Sequence, residues 1–488
     1  MFRAQNVLGL AAAICVSLLL PFVVVTNAHA APVTITNGVG FTDSAGNPLH
    51  GHGGGIIKVG AYYYWFGENR SPDNQFQHVS VYRSTDLRSW ELRRENVLAQ
   101  DPTPELKEAA LWRPKVIYNA RTGQYVMWTR KEKKPGDFGE SRVGVATSSS
   151  VDGEYTYRGS FQPLGYRSYD MSVFRDDDGT AYLISTTSEQ RDLAIFRLTP
   201  DYLGVAGPAP VTVLTGVKRE AQAMFKRDGV YFLVTSGVTG WQPNQARYAT
   251  ATSIAGPWSA MVDLGDSITY GSQSAFVLPI QGSATTSYLY LGDRWAGAWN
   301  GAHDDSEYVW LPLRFPSTRS LSMSWHPRIS IDTATGEVQG VGAGHAYEEL
   351  RPRHSGKCLD VPKESAEDGT RLIQYACGTA ANSNQHWQVR DLGTGYHQVI
   401  VRHSHKCLTV PSSSTEDGVQ VSQRTCGAGE NQQWRITNLG GGYFQILARH
   451  SGKCLDVAQG STEDGARVVQ YTCKDSPNQK WRRVGAPY

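Results

Sequence analysis

The chain has 488 residues, of which 40% are hydrophobic and 19% charged, and its formal net charge is +2. This length exceeds one ordinary hydrophobic core, so at least two domains are expected. Both signs of charge are interspersed, which leaves no basic stripe for neutralising phosphates and excludes nucleic acid as a partner.

The N-terminus, residues 1–30, has the pattern of a secretory signal peptide. One Arg precedes a long apolar run, and Ala28-His29-Ala30 offers a small-residue cleavage site. The run is long enough to span a membrane, but Pro21 within it and the Ala-x-Ala after it favour cleavage. No later segment has this hydropathy. We therefore expect a secreted mature protein without a membrane anchor.

Residues 31–345 carry no cysteine and repeat a set of short apolar strands. Turns such as NARTG and RDDDG separate the strands, and no helical period is present. Evenly spaced sets of about four strands are typical of propeller blades. One strand of each set has a central tyrosine, at Tyr62, Tyr125, Tyr182, Tyr231 and Tyr288. The sequence predicts an all-β fold that begins with a five-bladed β-propeller.

Three polar residues stand at similar distances before their marker tyrosines: Asp170, Glu220 and Gln273. We expect them at the starts of successive inner strands, where a propeller brings them to one axial pocket. Two carboxyl groups and an amide there suit cleavage of a glycosidic bond, since one group must protonate the departing oxygen and another must position water. Burial or the charge of Asp170 would raise the pKa of Glu220. The alternative is a salt bridge of Glu220 with Arg219 or Lys218.

The remaining polar motifs of this domain favour no cofactor. RDDDG lacks the other ligands of an EF-hand, and HGGG lacks the Gly-Lys-Ser/Thr of a phosphate loop. Zinc-ligand spacing is absent from the sequence. We expect neither a catalytic metal nor a cofactor, and a structural cation is the alternative left open.

Residues 346–488 contain a threefold repeat. The passages RHSGKCLDV, RHSHKCLTV and RHSGKCLDV are each followed by NQHW, NQQW or NQKW. Units this short cannot bury a core singly, so three must associate. The six cysteines form three pairs with the same spacing of 19, which singles out one disulfide in each repeat and fits an extracellular setting. The expected pairs are Cys358 with Cys377, Cys407 with Cys426, and Cys454 with Cys473.

The Gln-x-Trp signature resembles the ricin-type β-trefoil, carbohydrate-binding module family 13. That resemblance implies sugar sites built from an Asp, an aromatic ring and an Asn-Gln pair. The first and third repeats supply them as Asp360, Tyr375, Asn384 and Gln385, and as Asp456, Tyr471, Asn478 and Gln479. The second repeat has Thr409 and Arg424 instead, so we expect a weak or absent site there. The alternatives are that the Asn-Gln pairs only close turns and that the Asp–Tyr pairs are surface decoration.

The motifs HGGGIIKVGAYYYWFGE, RPKVIYN, DMSVFRDDDGTAYLI, REAQAMFK, TGWQPNQ, SQSAFVLP and GDRW resemble glycoside hydrolase family 43, most closely its exo-β-1,3-galactanase group. The resemblance implies removal of galactose, with inversion, from the non-reducing end of the β-1,3-galactan of arabinogalactan proteins. It makes Glu220 the general acid, Asp170 the residue that tunes its pKa, and Gln273 the holder of the attacking water. Gln273 would replace the Asp base that the family usually carries in the first blade. The alternative for Gln273 is hydrogen bonding to backbone groups at the axis.

Four more residues are candidates for binding the substrate. Glu68 could bind galactose hydroxyls or form a salt bridge at the rim, and Trp112 could stack on the sugar or pack in the core. Trp241 lies on a loop where an exposed ring suits a pyranose face. Arg294 could orient a carboxylate or pair with the adjacent Asp293.

Together these features predict a secreted, monomeric exo-β-1,3-galactanase that acts on a polysaccharide and carries a C-terminal sugar-binding module. An arabinofuranosidase or xylosidase of the same family is one alternative, and the missing first-blade Asp argues against it. A galactan-binding lectin without activity is another, and the retained Asp170 and Glu220 argue against it.

Overall fold

The computed structural model describes residues 31–73, 75–99, 103–342 and 344–486, together with Met1. The signal peptide predicted for residues 1–30 otherwise lies outside the described residues. All regular secondary structure in the described ranges is β-strand or 3-10 helix, which confirms the all-β prediction. None of the helices described there combines the length and hydropathy needed to cross a membrane.

The propeller region begins with strand β1 (Val33–Thr36) and continues with five antiparallel sheets of four strands each. Each sheet is made of four consecutive strands. In chain order they are β2 (Gly55–Val59), β3 (Tyr62–Arg70), β4 (Phe76–Ser84) and β5 (Glu91–Arg94); β6 (Ala110–Asn119), β7 (Gln124–Glu132), β8 (Arg142–Ser148) and β9 (Thr156–Phe161); β10 (Met171–Arg175), β11 (Ala181–Thr187), β12 (Asp192–Arg197) and β13 (Thr212–Leu214); β14 (Arg219–Arg227), β15 (Val230–Gly237), β16 (Ala246–Ala251) and β17 (Val262–Leu264); and β18 (Gln273–Gln281), β19 (Thr286–Arg294), β20 (Glu307–Ser317) and β21 (Ser320–Met323).

A sixth sheet corrects the prediction of a five-bladed β-propeller. It has three strands, in the order β1, β22 (Arg328–Asp332) and β23 (Glu337–Val341). Ile35 of β1 lies opposite Ile329 of β22, so the first strand of the region pairs with its last ones. These isoleucines pack with Trp65 and Trp310, from the first and fifth four-stranded sheets, in one buried cluster.

Every marker tyrosine lies in the second strand of its four-stranded sheet, as the repeat analysis implies. These strands read as nearly continuous apolar runs because they are buried on both faces. In β3, for example, Tyr63, Trp65 and Phe66 are all at most 2% exposed, although Phe66 faces the opposite side of the sheet from Tyr63 and Trp65.

The trefoil region contains thirteen strands in the described residues, eleven of them in one sheet and two in a small separate sheet. They are β24 (Glu348–Pro352), β25 (Cys358–Asp360), β26 (Ile373–Tyr375), β27 (Trp387–Asp391), β28 (His397–Val401), β29 (Cys407–Thr409), β30 (Val419–Gln420), β31 (Ser422–Arg424), β32 (Trp434–Gly440), β33 (Tyr443–Ala448), β34 (Cys454–Val457), β35 (Val468–Tyr471) and β36 (Trp481–Gly485).

The core of the trefoil gathers one tryptophan from each repeat. Trp387, Trp434 and Trp481 are fully buried in a single apolar cluster, and each donates its indole N–H to the carbonyl of a Leu in its own repeat. All three predicted disulfides are formed.

Short 3-10 helices connect the strands. In the described residues they are η1 (Pro163–Gly165), η2 (Thr269–Gly271), η3 (Ala296–Trp299), η4 (His303–Asp305), η5 (Pro362–Glu364), η6 (Ser383–Gln385), η7 (Pro411–Ser413), η8 (Glu430–Gln432), η9 (Ala458–Gly460) and η10 (Pro477–Gln479). Two occur in each trefoil repeat, and η3 and η4 lie between β19 and β20 of the propeller.

Candidate active site

A cavity of about 560 Å³ is lined by residues in or beside all five four-stranded sheets. The predicted catalytic residues Asp170, Glu220 and Gln273 all line it. Its volume lies in the usual range for pockets that bind small ligands. The propeller therefore brings together three side chains that are far apart in sequence, as predicted.

Irregularities in three inner strands lie at this cavity. Register shifts fall after Trp112 in β6, after Glu220 in β14 and after Ser274 in β18. Arg113 and Ala221, at two of them, have φ angles of 57° and 53°. Such left-handed conformations cost a residue with a Cβ about 1–2 kcal/mol, and bulges re-aim side chains next to active sites. The backbone here is shaped to direct side chains into the cavity.

Asp170 is held by two arginines. Arg113 Nε donates to its Oδ2 at 3.0 Å, and Arg130 Nη1 donates to its Oδ1 at 3.3 Å. Burial opposes ionisation of Asp170, but the charges and hydrogen bonds of Arg113 and Arg130 outweigh it and hold its pKa below the ordinary value. Asp170 is therefore a carboxylate at neutral pH.

Glu220 has the opposite electrostatic environment. Burial, and next the negative charge of Asp170, raise its pKa to about 8, against the smaller opposing effects of Arg113 and Arg130. The alternative salt bridge to Arg219 does not form, because the Arg219 guanidinium donates to Thr235 and to the carbonyl of Gln245. At neutral pH Glu220 carries the proton that a general acid needs.

Gln273 contacts both groups of this site. Its Oε1 accepts from Arg113 Nη2 at 2.6 Å and from Trp295 Nε1 at 2.9 Å. Because guanidinium and indole nitrogens can only donate, this fixes the amide with its Nε2 toward Glu220 Oε1, at 3.0 Å, and Ser236 Oγ, at 3.1 Å. All four partners are side chains, and the backbone hydrogen bonding that was the alternative reading is not what holds this amide.

No role at the site was predicted for Arg113, Arg130 or Trp295. Arg113 begins the RPKVIYN motif in an inner strand, and that position could have identified it. Arg130 lies opposite Trp112 in the pairing of β6 with β7, which only the strand register reveals. Glu132 holds Arg130 in turn, accepting from its Nη2 at 2.9 Å.

Two of the predicted substrate-binding residues are tryptophans at the cavity wall. Trp112 and Trp241 line the cavity, and 39% of Trp241 is exposed. The rings of both tryptophans and of Trp295 surround the Arg70 guanidinium at 5.5–5.8 Å. An aromatic wall of this kind suits the C–H face of a sugar.

Glu68 also lines the cavity, but its carboxylate is engaged. Its Oε2 accepts from Arg70 Nε at 2.9 Å, and its Oε1 accepts from the backbone N–H of Arg113 at 2.9 Å. The salt bridge named as the alternative is thus present, with Arg70 as its partner. The other oxygen of the same carboxylate holds the bulge that carries Arg113.

Arg294 does not line this cavity, which corrects its assignment to the substrate site. Its guanidinium is buried and donates to Glu307 Oε2 at 3.1 Å and to the carbonyl of Tyr270. The adjacent Asp293 instead accepts from the backbone N–H of Gly53 and contacts His52 Nδ1. Neighbouring residues of a strand face opposite sides, so Asp293 and Arg294 diverge.

The predicted sugar sites of the trefoil are assembled in the first and third repeats. Asp360 Oδ2 accepts from Asn384 Nδ2 at 3.1 Å and from Gln385 Nε2 at 2.7 Å. Tyr375 lies opposite Cys358 in the strand pairing and is 47% exposed. The third repeat repeats these contacts with Asp456, Tyr471, Asn478 and Gln479.

The Asn-Gln pairs also serve the turns, as the alternative reading held. Asn384 Nδ2 donates to the carbonyl of Val361 as well as to Asp360. In the second repeat, Gln432 Nε2 donates to Thr409 Oγ1 at 3.0 Å, and Arg424 occupies the place of the aromatic ring. That repeat keeps the turn without the carboxylate and the ring.

Two sequence profiles match the chain. Residues 52–267 match glycosyl hydrolases family 43, and residues 337–424, 383–471 and 430–487 match the ricin-type beta-trefoil lectin domain. The crystal structure of an exo-beta-1,3-galactanase from Clostridium thermocellum is 43% identical, with a TM-score of 0.62, over 92% of this chain and 99% of that one. The chain belongs to glycoside hydrolase family 43. It also carries a ricin-type β-trefoil.

Two further proteins are similar to the chain at lower sequence identity. An exo-beta-1,3-galactanase from Phanerochaete chrysosporium, solved as a variant with beta-1,3-galactotriose, is 27% identical, with a TM-score of 0.60, over 92% of each chain. A curated protein named xylosidase/arabinosidase 43B from Humicola insolens is 24% identical over 42% of this chain. The chain spans 35–46% of the length of the curated relatives it matches.

Proposed function

We propose that this glycoside hydrolase is an inverting exo-β-1,3-galactanase, secreted to release galactose from the non-reducing end of the β-1,3-galactan of arabinogalactan proteins. The observation that carries the proposal is the contact of Glu220 with the amide of Gln273 beside an ionised Asp170. A glycosidase needs a proton donor and a group that places water, and in this cavity the second group is an amide. The similarity to exo-β-1,3-galactanases supports the same substrate.

In the proposed reaction Glu220 donates its proton to the glycosidic oxygen as the C1–O bond breaks. Asp170 remains ionised through Arg113 and Arg130, and its charge keeps the proton on Glu220 until the leaving oxygen becomes more basic. Asp170 thus tunes the acid without taking part in bond making.

Gln273 holds the water that attacks C1 from the opposite face. The two carboxyl groups of an inverting pair usually stand about 6.5–9.5 Å apart, whereas Gln273 Nε2 lies 3.0 Å from Glu220 Oε1. In the proposed reaction the terminal sugar and the attacking water enter between these two side chains. Because an amide is a very poor base, Gln273 orients the water in this proposal, and the proton that the water loses as its oxygen bonds to C1 passes to solvent.

The proposed division of the chain is a signal peptide at residues 1–30, a catalytic propeller at 31–345 and a trefoil at 346–488 that holds a monomeric enzyme on its polymer. Three disulfides and two carbohydrate-active domains support an extracellular location. The proposed proton transfers require no cofactor.

Galactose release from β-1,3-galactan by the full chain and by Glu220→Gln tests the activity. The amide cannot donate a proton to the leaving group, so we expect kcat to fall by a factor of about 10³. The fold should remain intact, as judged by an unchanged melting temperature within a few degrees. A wild-type protein without galactose release, or an active Glu220→Gln, contradicts the proposal.

The curated relatives favour one second candidate, a β-xylosidase or arabinofuranosidase. Aryl xylosides and arabinofuranosides separate the two functions. Hydrolysis of either faster than of an aryl β-galactoside would replace the galactanase assignment.

A further inference from the structure

One turn of the trefoil breaks the threefold pattern at His405. The first and third repeats have Gly356 and Gly452 at this place, with φ angles of 65° and 67°, and His405 keeps the same left-handed backbone at 54°. Glycine adopts this conformation readily, whereas a residue with a Cβ does so at a cost. A Cβ at either glycine would meet open space, so glycine is needed there for the left-handed backbone conformation and not for lack of room.

The His405 side chain makes contacts that offset this cost. Its ring stacks on the indole of Trp299 in the propeller, with centroids 4.0 Å apart and planes 14° apart. Its Nε2 lies 3.0 Å from Glu307 Oε1. Both partners are buried, so the imidazole is a docking group between the two domains.

Glu307 is the centre of that junction. Arg294 from the propeller and Arg390 from the trefoil both form ion pairs with it, in addition to the contact with His405. Although its burial favours the neutral acid, the charges of Arg390 and His405 and the hydrogen bond from His405 lower the pKa of Glu307 to about 2. The trefoil thus supplies two of the three side chains that contact this buried carboxylate.

The chain between Trp295 and Glu307 connects this junction to the cavity. We call residues 295–307 the wall segment. At its start Trp295 Nε1 donates to Gln273 Oε1, and Trp295 lines the cavity. Gly297 lies directly against the Trp241 ring, where a Cβ would come within 2.5 Å of it.

Further bonds make the wall segment a single unit. Gln242, from the loop of Trp241, donates to the carbonyl of Ala298 at 3.1 Å. The backbone N–H of Ala296 donates to Ser306 Oγ at 3.0 Å, so the two ends of the segment are tied together. Trp299 is therefore linked to Trp295 and Trp241 by contacts within a few residues.

We propose that His405 is a positioning residue: the trefoil completes the active site by fixing the wall segment through Trp299 and Glu307. The expected effect on kcat rests on the proposed galactanase function, whereas the contact of His405 with Trp299 and Glu307 does not. It also assigns a role to the second repeat, whose sugar site lacks the carboxylate and the ring.

The test uses the full chain with His405→Gly, which restores the glycine of the other repeats and relieves the backbone. With β-1,3-galactobiose as substrate, we expect kcat to fall about tenfold and KM to change less than about threefold, since loss of positioning at Gln273 acts mainly on the reacting groups. Hydrogen exchange of backbone amides in residues 295–307 should become faster. The disaccharide is used because it leaves tethering by distant trefoil sites out of the measurement.

Matched variants separate positioning from general loss of structure. His450→Ala removes an imidazole from the corresponding trefoil turn, where its Nε2 contacts the carbonyl of Ser414 within the trefoil. We expect kcat within twofold of wild type. Trp299→Leu should reproduce His405→Gly, whereas Trp299→Phe, which keeps a flat ring, should restore most of the activity.

A His405→Gly enzyme with kcat within twofold of wild type would overturn the proposal. So would a lower kcat without faster exchange in the wall segment, since the effect would then come from elsewhere. If the wild type released no galactose from the disaccharide, the galactanase function would fail, and the exchange comparison alone would still decide whether His405 fixes the wall segment.

Discussion

Replacing Asp170 with Asn should move the pH range in which the enzyme is active. The wild-type general acid must be protonated, so activity is lost as pH rises through the pKa of Glu220, about 8. After burial, the negative charge of Asp170 is the largest cause of the raised pKa of Glu220, and Asp170→Asn removes this charge. The substitution also leaves the positive charges of Arg113 and Arg130 without the carboxylate that balances them. Both changes lower the pKa of Glu220.

The expected size of this pKa change follows from the pKa of Glu220 in the wild type. The pKa of Glu220 rises from 4.5 to about 8, and burial contributes more of that rise than Asp170 does. We expect the alkaline limb of the profile to move toward acid by about 1–2 pH units, which corresponds to about 1.4–2.7 kcal/mol. The carboxamide is similar in size, so most of the change is electrostatic.

The assay is kcat/KM for β-1,3-galactobiose between about pH 5 and pH 10, because this parameter reports the pKa values of the free enzyme. Asp176→Asn is the matched control. Asp176 lies at the far end of β10, where it pairs with Lys226 and Tyr231 and does not line the cavity. An alkaline limb that stays near pH 8 in Asp170→Asn, or moves upward, would refute the assignment of acid and tuning residue.

Two other predictions concern the trefoil. Tyr375→Ala and Tyr471→Ala should each weaken retention on immobilised galactan severalfold, and the double variant should nearly abolish it. Arg424→Ala should change retention little. Equal losses from all three single variants would contradict the assignment of the sites. Replacing Cys454 and Cys473 together by Ser should lower the free energy of unfolding of the trefoil by about 3 kcal/mol, measured by urea denaturation, because the bridge closes a loop of moderate length. A change below about 1 kcal/mol would show that the bridge contributes little.

The repeats explain why much of the fold could be predicted. Each four-stranded sheet of the propeller is made of consecutive strands with a tyrosine in the second, so local pattern and turn residues suffice to place it. The sixth sheet could not be found in this way. Its strand β1 pairs with β22 across almost the whole propeller, and no local signal marks a partner so distant in sequence.

The site was predictable where the repeat itself places the residue. Asp170, Glu220 and Gln273 occupy equivalent inner-strand positions, so symmetry alone predicts that they converge. The inner-strand position of Arg113 could have identified it, whereas the role of Arg130 depends on strand register, which the sequence does not show.

Arg294 was misplaced for a related reason. Its neighbour Asp293 accepts from the backbone N–H of Gly53, and alternation in the strand directs Arg294 to Glu307 instead. The contact of His405 with Trp299 likewise depends on how the two domains pack. The sequence showed only that one glycine of the repeat had become histidine.

The anomer released first from β-1,3-galactotriose, followed by proton NMR, tests the central claim most directly, that Glu220 and Gln273 form an inverting pair. We predict that the wild type releases α-galactose first, and that Gln273→Ala is slower by a factor of about 100. Initial release of β-galactose, or full activity of Gln273→Ala, would contradict it.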